Sequence, residues 1–137
     1  MVAERKRDPE GLLPLTPVAL NILLALADEE RHGYGIGVEV RERTAGKMRL
    51  GPGTLYGSLK RMVDGGLVEE SEGRTDGAPD NASRGYDAER RRYYRLTGFG
   101  EQVLAAELAR LDGVVKTAQA KGVFPPSKRR ASSPGEA

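Results

Sequence analysis

The sequence contains no cysteine and no tryptophan, and His32 is its single histidine. Without cysteine, a disulfide framework and any thiolate metal site are excluded. A Cys–His pair cannot form, and a Ser–His–Asp set would have to use His32 alone, which weakens the nucleophile-plus-base enzyme classes. His32 precedes Gly33 at a helix start, where capping or packing is the expected role. Absent cysteine also fits a chain of the cytoplasm, and that location is the expectation. A strong excess of one charge is missing as well: 22 Lys and Arg face 20 Asp and Glu, for a net charge of +2. An anionic partner must therefore be argued from where the charges sit. Nor is there a long unbroken apolar run. "LLPLTPVALNILLALA" is shorter than the ~20 residues of a membrane span and is interrupted by Pro14, Pro17 and Asn21. Those interruptions, with Asp8 and Glu10 behind the basic "ERKR", also weigh against a secretory leader, although Ala25-Leu26-Ala27 resembles a cleavage site. The sequon Asn81-Ala82-Ser83 would matter only in a secreted chain. No membrane partner, metal or cofactor is expected.

What is present divides the 137 residues into four parts. Residues 1–14 are charged and carry Pro9, Gly11 and Pro14, which predicts a flexible N-terminal arm. Thr16 is an N-cap followed by Pro17 at the first helical position, and "PVALNILLALAD" is apolar on nearly every side, as a central core helix should be. A second helix is predicted from about Tyr34 to Thr44, with Ile36 and Val40 inward. Gly35 and Gly37 weaken it by roughly 1 kcal/mol each relative to Ala, so something is expected to pack close to its backbone. Gly46 stops it. Pro52 opens a third helix with Leu55, Leu59, Met62 and Val63 as its buried stripe, and Gly65-Gly66 ends it. "LVEESEG" and "RRYYRLT" are strand candidates, with Tyr94 and Leu96 inward and Arg91, Tyr93 and Arg95 outward. The long loop between them, rich in Gly, Pro, Asp, Asn and Arg, is expected to be mobile. Thr97 caps a last helix ending near Ala120.

Three helices followed by a β-hairpin describe a winged helix-turn-helix. The fold expected is mainly α with a small β-hairpin: a winged-helix DNA-binding domain over 15–97, a C-terminal dimerisation helix over 98–121 and a disordered tail over 122–137. In the last helix Leu104, Leu108, Leu111 and Val115 form a heptad seam. A helix of about 20 residues is ~30 Å long, more than so small a domain covers, so the excess predicts a two-fold homodimer.

"GPGTLYGSLKRMVDGGLV" poses the functional question. Its outward positions hold Gly53, Thr54, Gly57, Lys60 and Arg61 instead of the long Glu and Lys chains of an ordinary surface helix. The major groove of B-DNA is ~12 Å wide, so a helix entering it needs an outer face without bulk. Gly53 and Gly57 would let the backbone approach, and Thr54 and Ser58 could donate to phosphates or base edges. Lys60 and Arg61 add charge, and the Tyr56 hydroxyl could reach a phosphate. A plain surface helix with a few small residues is the bland alternative. Arg84, Arg90, Arg91, Arg92 and Arg95 cluster in and after the hairpin loop with only Asp87 and Glu89 among them. Arg84, Arg90 and Arg91 are the expected phosphate or minor-groove contacts, against the commoner fate of a solvated charged loop. Phosphate-binding enzyme motifs fit poorly: "GYGIGV" is not G-x-G-x-x-G, and Gly57 is followed by Ser58 where a P-loop needs Lys.

The pieces "LTPVALNILLALAD", "HGYGI", "GPGTLYGSLKRMVDGGLV" and "RRYYRLTGFG", which cover about residues 15–100 in this order, resemble the PadR family of bacterial transcriptional regulators, in its short subclass with one C-terminal helix. The resemblance implies a homodimeric winged-helix repressor that binds double-stranded DNA at an inverted-repeat operator and is often released by a small aromatic effector. It implies DNA contacts at Thr54, Tyr56 and Lys60, and matches Tyr34 to the tyrosine that opens the second helix. The interstrand loop is longer than is usual in the family, and no Trp is available for the aromatic sandwich some members use. Two other readings stay open: a winged-helix module that binds protein instead of DNA, and a small enzyme using "GYGIGV".

Overall fold

The computed structural model describes residues 7–71 and 92–123. Its elements are a 3-10 turn Pro9–Leu12, then α1 (Pro17–Ala25), β1 (Arg31–His32), α2 (Gly33–Arg43), α3 (Pro52–Asp64), β2 (Val68–Ser71), β3 (Tyr93–Leu96) and α4 (Gly98–Ala120). Residues up to Glu107 form one compact unit, and those from Leu108 a second.

Local chemistry sets the helix ends. Thr16 Oγ1 accepts from the Ala19 amide at 3.1 Å, and Pro17 occupies the first turn of α1. His32 Nδ1 accepts from the Gly35 amide at 3.0 Å and so caps α2. Ala45 and Gly46 take positive φ (56° and 80°) and turn the chain out of α2. Thr97 Oγ1 accepts from the Gly100 amide at 2.9 Å and donates to Gly66 O at 2.6 Å, which fastens the start of α4 to the end of α3. A β-carbon at Gly100 would collide with the Leu67 carbonyl, so only glycine permits this approach.

The core of the first unit is made where the apolar stripes meet. Ile22 and Leu23 of α1, Ile36 and Val40 of α2, Leu59 of α3, Val68 of β2 and Val103 of α4 are all buried. Each such side chain contributes roughly 1.5–3 kcal/mol when withdrawn from water.

The sheet differs from the two-stranded hairpin expected. It has three strands in the order β1-β3-β2, all antiparallel, with Arg31 opposite Tyr94 and Val68 opposite Leu96. A strand of two residues carries no alternation to detect. Arg31 holds it in place: its Nε donates to Ala25 O at 2.7 Å, and its guanidinium pairs with Asp28 at 3.3 Å and Glu29 at 3.4 Å.

The described part of the expected arm also has structure. Asp8 caps the 3-10 turn, and the Arg7 guanidinium donates to Gly65 O while lying 4.1 Å from the centre of the Phe99 ring. A cation on the last carbonyls of α3 is favoured by the helix dipole, and its stacking on Phe99 adds a cation–π contact. Leu15 donates its amide to Glu107 Oε2 at 3.2 Å. Glu107 is buried, and a buried carboxylate needs such donors.

Candidate nucleic-acid interface

The α3 face predicted to meet DNA is mostly outward. Gly53, Thr54, Lys60 and Arg61 are exposed, and Gly57 is half-buried. Neither glycine is demanded by the fold. Both keep ordinary helical φ. Among the described residues a β-carbon at Gly53 would meet nothing within 4 Å, and one at Gly57 only the Arg61 guanidinium at 3.7 Å. Alanine would therefore be accepted at both positions and would strengthen the helix by about 1 kcal/mol each. A helix held below its own stability, on one face only, is what a closely approaching external surface would require. Lys60 is 77% exposed and only loosely paired with Asp64 at 3.7 Å, a surface contact worth little.

Ser58 must be moved from this set. It is buried, and its hydroxyl accepts from Arg61 Nη2 at 3.3 Å. With Leu55, Leu59 and Met62 it completes an i, i+3, i+4, i+7 stripe, so its side chain belongs to the inner side of α3 and not to the groove.

The two tyrosines of the set come from adjoining elements. Tyr34, in the first turn of α2, is 69% exposed. Tyr56 is half-buried, and its ring lies on the backbone of Gly33: a β-carbon there would come 2.5 Å from the phenolic oxygen. The close approach to α2 expected at Gly35 and Gly37 is thus greatest at Gly33. His32 ties this corner to the sheet, with its ring 6.4 Å from that of Tyr34 and edge-on to Tyr93 at 5.4 Å. Between α2 and α3 lies a hollow of about 230 Å³, bordered by Tyr34, Tyr56, Arg41 and Arg49. The sequence reading missed both arginines, because the turn that brings them to one hollow separates them along the chain.

Arg84, Arg90 and Arg91 lie outside the described residues. At the strand stem the basic cluster is smaller than the sequence suggests. Register places Glu69 against Arg95, and their side chains pair at 2.7 Å; Arg92 pairs with Glu70 at 3.3 Å. The Glu69 hydrogen bond and charge raise the Arg95 pKa further. Two arginines counted toward an anion-binding wing are therefore neutralised across the sheet.

The expected dimer seam divides. Leu104 is buried with Val103 in the core of the first unit, so it is not an interface residue of the kind expected. In the second unit Leu108 and Val115 are 41% and 40% exposed, Val114 is 53% exposed and Leu111 is half-buried. Lys116 and Asp112 pair at 2.9 Å one turn apart on that segment. Among the described residues no group of three His, Asp or Glu could hold a metal, and no helix is long and apolar enough to cross a membrane.

The family model "Transcriptional regulator PadR-like family" matches residues 22–106. An uncharacterized 37.1 kDa protein of transposon TN4556 from Streptomyces fradiae is 37% identical over 97 residues, covering 69% of this chain and 24% of that protein. The chain thus spans about a quarter of that relative's length. A PadR family transcription regulator from Clostridium difficile superposes with a TM-score of 0.54 at 29% identity, over 74% of this chain and 95% of that one. Bacillus subtilis PadR, solved in complex with operator DNA, has the same fold, with a TM-score of 0.55 at 22% identity over 69% of this chain and 48% of that one.

Proposed function

As the chain belongs to the PadR-like family, we propose that it is a DNA-binding transcriptional regulator, not an enzyme, and that it represses transcription as a homodimer whose α3 helices enter successive major grooves of an inverted-repeat operator. The carrying observation is the open space at Gly53, where the fold itself gives no reason for glycine. In this reading Gly53 and Gly57 admit the backbone, Thr54 and Arg61 reach base edges or phosphates, and Tyr34, Tyr56 and Lys60 hold the phosphate backbone. Arg84, Arg90 and Arg91 extend the contact to a flanking minor groove. Leu108, Leu111 and Val115 supply the partner-facing seam, which fixes the half-sites about one or two helical turns apart. A small aromatic effector releases the repressor, and the protein works in the cytoplasm.

The test is a gel shift with the duplex upstream of the chain's own coding sequence. A saturable shift that survives excess unrelated DNA is expected, with protection of two symmetric half-sites. Failure to shift any such duplex at micromolar protein would contradict the proposal and favour a protein-binding module.

A further inference from the structure

We infer that the hollow between α2 and α3 is a second docking site for the DNA backbone, in which Arg41 and Arg49 grip a phosphate beside the groove that α3 enters. The inference rests on the DNA-binding reading of α3.

Arg41 and Arg49 are the two cations that border the hollow, and among the described residues no carboxylate competes for them. Arg31, Arg43, Lys60, Arg92 and Arg95 each face a carboxylate within 4 Å. Among the described residues Arg41 and Arg49 form no ion pair. Arg49 is anchored through Nε to Gly46 O at 3.3 Å, which leaves its terminal nitrogens without a carboxylate. Both residues are exposed. They are brought together because Ala45 and Gly46, with φ of 56° and 80°, fold the connection back between α2 and α3.

The lining narrows the occupant. No acidic side chain borders the hollow, and its floor is apolar: Val38, Leu50 and Leu55. Two guanidinium groups above an apolar floor suit a nucleotide unit of a DNA strand. The phosphodiester takes the N–H forks, and the deoxyribose or a thymine methyl rests on the floor. A free inorganic anion has no surface for such a floor. Tyr34 and Tyr56 border both this hollow and the groove face, so one strand could run from one to the other.

The experiment is fluorescence anisotropy with a mixed-sequence 40-base-pair duplex between 25 and 200 mM NaCl. The full chain is compared with R41Q, R49Q, the double variant and K60A, and with K121Q as a control for bulk charge. Each single arginine variant should lower the slope of log K against log salt by about 0.9, and the double variant by about 1.8. Thermal midpoints should stay unchanged, because both side chains are exposed. Wild-type slope in the double variant, with K60A reduced, would overturn the inference and leave the α3 reading standing. A loss in K121Q equal to that in R41Q would overturn it too, as an effect of net charge. Absence of wild-type binding at 25 mM NaCl would overturn the α3 reading first, and the inference with it.

Discussion

The phenol of Tyr56 rests on the backbone of Gly33, close enough that a β-carbon on Gly33 would stand 2.5 Å from the phenolic oxygen. This contact sets how near α2 and α3 lie at the corner where Tyr34, Tyr56 and the arginine hollow meet. Gly33→Ala should cost about 1–3 kcal/mol by overpacking. In a Tyr56→Ala background the same change should cost much less. Urea unfolding of the four proteins measures the coupling; additive losses would show that the two residues do not constrain each other.

The last helix should answer substitution differently along its length. Leu104→Ala should destabilise the first unit by about 2–5 kcal/mol, as core truncations do. Leu108→Glu combined with Val115→Glu should leave that unit folded but halve the mass seen by analytical ultracentrifugation. It should also weaken DNA binding although α3 is untouched. A double variant that sediments like the wild type would remove the seam from the interface.

Stability should fall at both ends of the pH scale, for separate reasons. The Arg43 hydrogen bond, outweighing the opposing effect of burial, holds the Glu39 carboxyl below its usual pKa. Its contribution is present above the unfolded value of about 4.3 and is lost as pH falls through the lower folded value. Burial, followed by the nearby Glu70 charge, raises the Tyr94 phenol above its ordinary value. That contribution is complete below the unfolded value of about 10 and is lost as pH rises toward the folded one. Denaturation midpoints against pH should lose part of the acid limb in Glu39→Gln and part of the alkaline limb in Tyr94→Phe. Unchanged limbs would assign the pH dependence to other groups.

Much of the fold was legible because its signals are local. Thr16 and Thr97 advertise caps, Pro17 and Pro52 helix starts, and Leu55, Leu59 and Met62 a stripe, all within a few residues of the structure they specify. What escaped depends on partners distant in sequence or on polarity that misleads. Ser58 looks polar and outward, yet its spacing from Leu55 and Met62 puts it inside. Leu104 fits a heptad as well as Leu108 does, and only the assembled core shows that it is already covered. Arg92 and Arg95 read as free charge until strand register sets Glu70 and Glu69 beside them. Arg7 meets Phe99 only after the whole chain has folded. The outward glycines of α3 were visible from the start; that nothing in the described residues occupies the space beside Gly53 needed the structure.

The most direct test of that face is Gly57→Glu. The fold should accept it, since only the flexible Arg61 side chain lies near the new β-carbon. In the groove, however, a carboxylate would be pressed toward phosphates, a like-charge contact costing several kcal/mol. Anisotropy titration with the upstream duplex should show operator affinity reduced by at least about 100-fold, with the circular dichroism spectrum and thermal midpoint of the wild type retained. Wild-type affinity in a folded Gly57→Glu protein would contradict the placement of α3 in the groove.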